Sequence, residues 1–265
     1  MKLSFGTLAV FVILLAWTPR ARAAMSDDRT VEPYFQMNVG VYSRDIVEKS
    51  SALTSFKVNG TADSTRVIAK AGVNIGDIVN LYLQGGGADL TIDDFDDYDA
   101  SMNGAYGGGM RINLYREPYR DGLKLFVEGN YLHNSTNDKT QIARECTGLP
   151  NCPAPSNNFF PTIADETIQW NEYTFLMGGS VRYFDFGPYG GIRLSKVDGK
   201  DRVRSGPDAN FTTNFTATAD VKERDNFGVF FGTDVFLDRA GKTALNFEAS
   251  LFDVYSFQAG IRTTF

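Results

Sequence analysis

The last eleven residues of the chain, YSFQAGIRTTF (residues 255–265), decide the fold. Side chains alternate across an extended strand. Tyr255, Phe257, Ala259, Ile261 and Phe265 therefore share one face, and Gln258, Gly260 and Arg262 share the other. A helix would scatter both sets around its circumference. The stretch reads as a strand with one apolar and one polar face.

The same alternation runs back through the chain. Leu245, Phe247, Ala249 and Leu251 oppose Asn246, Glu248 and Ser250, and Phe227, Val229, Phe231 and Val235 oppose Gly228, Gly232 and Asp234. Ile192 and Leu194 oppose Arg193 and Ser195, while Tyr173, Phe175, Met177, Val181 and Tyr183 oppose Glu172, Thr174, Ser180 and Arg182. Leu123, Leu125, Val127 and Tyr131 alternate with Lys124, Glu128 and Asn130. Nearer the N-terminus, Phe35, Met37, Val39 and Val41 alternate with Gln36, Asn38 and Gly40, and Val67, Ala69, Ala71 and Val73 with Arg66, Ile68 and Lys70.

Charges respect this division. Arg66, Lys70, Arg111, Lys124, Glu128, Glu172, Arg182, Arg193, Asp234, Glu248 and Arg262 all fall on the less apolar face. The rest of that face is Gly, Asn, Ser and Gln rather than the Lys and Glu of a surface washed by bulk water. Mixed signs suit a narrow lumen in which opposite charges pair. A charge on the other face would cost roughly 2–4 kcal/mol at mid-bilayer. The pattern predicts an all-β, transmembrane, antiparallel up-and-down β-barrel.

Link lengths predict about ten strands in such a barrel, with short turns at one end and longer loops at the other. Short links at 76–77, 116–122, 185–188 and 238–242 alternate with long polar ones at 45–64, 89–101, 135–166 and 198–223. Eight strands is the alternative, if the weak segment from Tyr189 to Val197 is misread. One link breaks the rule: Asp253-Val254 is short although it falls at the long-loop end. Aromatic girdles are expected from Phe35, Tyr115, Tyr119, Tyr183, Phe186 and Phe265 at one rim and from Tyr42, Tyr131, Tyr173, Phe227 and Tyr255 at the other.

Export is expected as well. Lys2, the apolar run from Leu8 to Trp17 and the sequence Ala21-Arg22-Ala23 read as a signal peptide over residues 1–23, cleaved near Ala23, which leaves 24–265 as a single barrel domain. Cleavage removes three of 26 basic residues (Lys2, Arg20, Arg22) and none of 32 acidic ones, so the formal charge of −6 becomes −9. That balance argues against nucleic-acid binding.

Tyr255, Phe257, Ile261 and the closing Phe265 look like the terminal-strand signal of bacterial outer-membrane barrels, which the barrel-assembly machinery recognises. With the stretch from Ala105 to Arg111, the mature chain resembles the small OmpA/opacity-type barrels in pattern over residues 33 to 265. The resemblance implies residence in the bacterial outer membrane, with outer-membrane lipid, lipopolysaccharide and the assembly machinery as partners.

Catalytic chemistry finds little to work with. The one histidine, His133, has Tyr131 two residues before it, where an Asp would match the Asp-His pair of omptin-type proteases. His133-Asn134-Ser135 has the spacing of barrel lipases but lies at a loop edge. Asp93, Asp94, Asp96, Asp97 and Asp99 form an acidic run able to attract divalent cations, yet Met102 stands where an EF-hand loop needs Gly. Cys146 and Cys152 are spaced for a local disulfide in an oxidising compartment. No zinc set, phosphate-cradling loop or nucleophile elbow is present, and neither enzyme activity nor a cofactor is expected. The expected role is structural or surface interaction through long extracellular loops. A narrow porin-like channel is the alternative, favoured by seven basic against four acidic lumen positions; a rim enzyme comes last.

Overall fold

Alternation of this kind can be satisfied only if each strand finds hydrogen-bonding partners on both edges within the membrane. In the computed structural model, which describes residues 31–50, 56–76, 78–93, 98–117, 122–144, 160–206 and 215–265, it is met by eleven antiparallel strands in one closed sheet. They are β1 (Val31–Ser50), β2 (Phe56–Ile75), β3 (Val79–Asp93), β4 (Tyr98–Arg116), β5 (Lys124–Arg144) and β6 (Phe160–Ser180). The remainder are β7 (Phe186–Gly206), β8 (Phe215–Glu223), β9 (Phe227–Phe236), β10 (Thr243–Leu251) and β11 (Tyr255–Thr264). The antiparallel barrel expected from the sequence is what the chain forms. The expected signal peptide lies outside the described residues, as do Cys146 and Cys152.

The sheet closes twice. At the turn end, β11 pairs with β1 from Tyr34↔Thr264 to Ser43↔Tyr255, and the circuit β1–β7, β9, β10, β11 has ten strands. At the loop end β8 takes over. It pairs with β7 from Gly199↔Val221 to Ser205↔Phe215 and with β1 from Ile46↔Glu223 to Ser50↔Ala219, giving a circuit of eight. This contraction explains the short link at Asp253-Val254: the β10–β11 hairpin stops early because β8 leans over its tip to reach β1. The segment from Tyr189 to Val197 belongs to β7, which removes the eight-strand reading of the lower ring.

The long links are mostly strand, which corrects the sequence reading. Only residues 51–55 separate β1 from β2, 94–97 separate β3 from β4, 145–159 separate β5 from β6, and 207–214 separate β7 from β8. These strands outrun the apolar belt, and their outward face turns polar where lipid ends. The alternation that reveals a lipid-facing strand therefore disappears although the strand continues.

Beyond the belt the apolar residues face inward. Ile46, Ala62, Leu90, Ile92, Tyr98, Ala100, Ile168, Trp170, Val197 and Val221 form one buried cluster inside the eight-stranded ring. Thr136 from β5 joins it through the Tyr98 hydroxyl, 2.9 Å away. On β6 the inward register does not slip: Ile168 and Trp170 follow the same parity as Glu172 and Thr174. A register shift between Ala88 and Leu90 turns Tyr98 and Ala100 of β4 inward. The lower barrel is apolar outside, with Phe35, Val39, Leu83, Phe175 and Phe257 all exposed; the upper barrel is apolar inside.

Tyrosines lie across glycines on neighbouring strands in the lower lumen. Tyr34 stands opposite Gly72, Tyr82 opposite Gly109 and Tyr189 opposite Gly232. A Cβ at Gly72 would fall 2.7 Å from Tyr34 Cε1, and one at Gly232 would fall 2.5 Å from Tyr189 Cζ. Only glycine leaves room for the ring to lie flat against the wall.

Candidate functional site

The lumen of the lower ring holds a cavity of about 540 Å³, and all eleven lumen charges expected from the sequence border it. Among the described residues, Glu32, Arg116, Gly122, Gly241 and Thr264 line its mouth at the turn end. Strand β2 supplies Arg66 and Lys70, β4 supplies Arg111, β5 supplies Lys124 and Glu128, and the last two strands supply Glu248 and Arg262. Each points inward because the neighbouring residue in its strand takes the lipid side.

Polar groups fill the lumen in tiers. In one, Glu128 Oε2 meets Arg111 Nη2 at 2.6 Å, and the Tyr82 hydroxyl donates to Glu128 Oε1 at 2.6 Å. In another, Arg262 Nη2 lies 3.0 Å from Asp234 Oδ2, and Asn246 Nδ2 donates to Asp234 Oδ1 at 2.8 Å. Glu248 accepts from the Tyr189 hydroxyl at 3.0 Å and from Gln258 Nε2 at 2.8 Å.

The ceiling is an ion cluster. Glu172 Oε1 accepts from Arg44 Nη2 at 3.2 Å and from Arg193 Nη2 at 3.0 Å, and Glu172 Oε2 lies 2.9 Å from Arg66 Nη1. Arg193 Nε is also 3.0 Å from Asp253 Oδ2, which accepts the Ser195 hydroxyl at 2.7 Å. Arg66 stacks its guanidinium 4.3 Å from the centre of the Tyr42 ring. Three arginines and two carboxylates thus close the lumen, and the apolar cluster of the upper ring sits above them.

Arg44 and Asp253 were not legible as lumen charges. Arg44 lies past the last apolar residue of its strand's belt, and Asp253 sits in a turn. Asp253 faces inward because Phe252 before it takes a left-handed backbone, φ 84°. One girdle position is also corrected: Tyr42 faces the lumen and donates to Gln258 Oε1 at 3.1 Å, since it shares the parity of Asn38 and Gly40. Phe35, Tyr115, Tyr183, Phe186 and Phe265 are exposed on the outer face; Tyr119 lies outside the described residues.

Other candidates are scattered. His133 stands on the outward face of β5, its Nδ1 2.9 Å from Asn171 Oδ1 and its ring 4.8 Å from that of Tyr106. Its partner is an amide, not a carboxylate. Asp93 and Asp99 belong to β3 and β4, and Asp94, Asp96 and Asp97 lie outside the described residues. Among the described residues no three His, Cys, Asp or Glu side chains converge as metal ligands.

No protein-family model matches the chain, and no relative is found among curated proteins. Among solved structures, the chain is similar to the outer membrane protease OmpT from Escherichia coli, with 14% identity, 91% of this chain and 98% of that one covered, and a TM-score of 0.52. It is also similar to the transport unit of the autotransporter AIDA-I from Escherichia coli (10% identity, 96% and 97% covered, TM-score 0.41). Ail of Yersinia pestis follows at 9% identity, 88% and 99% covered and a TM-score of 0.30. Of these three, the first superposes well enough to bear on the fold, and at that identity it bears on the fold alone. The likeness is to outer-membrane β-barrels in general and not to the OmpA/opacity type in particular.

Proposed function

We propose that this protein is an outer-membrane barrel with a closed lumen that acts through the rigid wall it raises beyond the membrane, in a structural or surface-interaction role. The observation that carries this reading is the seal: a buried ion cluster below an apolar core that fills the eight-stranded ring. A core of this kind suits a wall standing in water, because it stabilises strands that no lipid supports. The contact surface is then in large part strand. Export with cleavage near Ala23, assembly through the terminal strand and contact with lipopolysaccharide belong to the same reading.

Recording from the folded protein in planar bilayers tests it. Silence is expected; reproducible conductance steps would overturn the reading in favour of the narrow channel. We also infer that the protein is not an enzyme, since His133 meets an amide and an aromatic ring. If the folded protein shows peptidase or lipid-hydrolase activity that His133→Ala abolishes, that inference fails.

A further inference from the structure

The cavity carries more positive charge than its own walls neutralise. Eight basic and five acidic described residues border it, in a chain whose formal net charge is −6. Carboxylates answer the cations in the middle and at the ceiling, at Glu128, Asp234 and Glu172. Toward the mouth the balance fails. Among the described residues, Lys70, Lys124 and Arg182 have no carboxylate within ion-pair distance. Aromatic faces stand in: Lys70 Nζ is 4.9 Å from the centre of the Tyr82 ring and Arg182 Cζ is 4.1 Å from that of Phe236. Lys124 and Arg182 line the same cavity as Arg262. Gathering like charges in a cleft costs free energy and concentrates counter-ions there. The side chains of Lys70, Lys124 and Arg182 are each half-exposed, so a solute reaches them.

We propose that the blind lumen is a binding site for a small multivalent oxyanion of the phosphate-ester class, entering from the turn end and held at the mouth by Lys124 and Arg182 with Lys70 above them. A guanidinium fork and compact ammonium groups both suit phosphate oxygens. The cavity of about 540 Å³ admits a small ester and excludes a folded partner. Because the ceiling is closed, the anion is retained and not conducted. The proposal rests on the closed-barrel reading only for that last point.

The test is calorimetric titration of the full chain, folded in zwitterionic detergent, with inorganic pyrophosphate at two salt concentrations. Saturable one-to-one binding that weakens with salt is expected. The double variant Lys124→Gln/Arg182→Gln, checked for folding by its heat-dependent gel shift, is expected to bind at least roughly tenfold more weakly. Lys200→Gln, on the outer wall, serves as a control and is expected to bind as the parent does. No saturable binding by the parent, equal binding by the double variant, or binding of an acidic hexapeptide in preference to pyrophosphate would each overturn the proposal. Conductance steps in a protein that still binds pyrophosphate would overturn the closed barrel and leave the anion site standing.

Discussion

Asp253 Oδ2, in the turn between β10 and β11, lies 3.0 Å from Arg193 Nε on β7, and through Arg193 it is tied to Glu172. The short β10–β11 hairpin is thereby locked to the ion cluster at the level where ten strands become eight. Gly228 is part of the same fit, since a side chain there would collide with the Asp253 carboxylate.

Removing the carboxylate at the centre of that cluster should be costly. Glu172→Gln leaves Arg44, Arg66 and Arg193 buried with only Asp253 to answer them. Loss of one partner of a buried ion network costs about 3–5 kcal/mol. Urea unfolding in detergent measures it. A loss below about 1 kcal/mol, the range of exposed pairs, would mean that water already screens the cluster.

The apolar core of the upper ring should matter to both stability and sealing. Trp170 is 3% exposed among Ile46, Leu90 and Val197. Trp170→Ala is expected to destabilise by about 3–5 kcal/mol, the usual cost of emptying a large core site. If the variant unfolds like the parent, the upper ring does not contribute to the cooperative unit.

Two glycines on neighbouring strands should respond in opposite directions. A Cβ on Gly109 would strike the Tyr82 ring and the carbonyl of Gly129, whereas one on Gly129 meets nothing within 4 Å. Gly109→Ala should destabilise by about 1–3 kcal/mol through overpacking. Gly129→Ala should be neutral or stabilise by up to about 1 kcal/mol, because glycine is a poor strand residue. Equal effects would show that backbone entropy and not ring packing governs these sites.

Asp238, in the last turn, provides a pH signature. Backbone N–H groups of Lys242 and Thr243 donate to its Oδ1 and Oδ2 and hold its pKa below the ordinary value. A depressed folded pKa means that the contribution is fully present above the unfolded value, near about 3.9, and is lost as pH falls through the folded one. The parent should therefore exceed Asp238→Asn in stability at neutral pH, with the gap closing in acid. A gap independent of pH would assign the turn's stability to its backbone alone.

Much of the fold was written in local alternation. The period-two pattern of Phe35 to Val41, Tyr173 to Tyr183 and Tyr255 to Phe265 needed no tertiary information, because lipid on one side and lumen on the other impose it strand by strand. For the same reason the inward placement of Arg66, Glu172 and Arg262 could be read directly. Past the lipid that constraint lapses. Residues 45–64 and 135–166 looked like loops, although most of both stretches is strand.

By itself, then, the sequence determined an antiparallel barrel, which face of each strand meets lipid, and which charges line its interior. Tertiary structure alone decided that β8 leans across to β1, that ten strands contract to eight, and that Arg44 and Asp253 join the ceiling. Those outcomes depend on pairings between residues far apart in the chain, such as Ile46 with Glu223. A strand's own alternation says which way its side chains point, but not which strand will lie beside it.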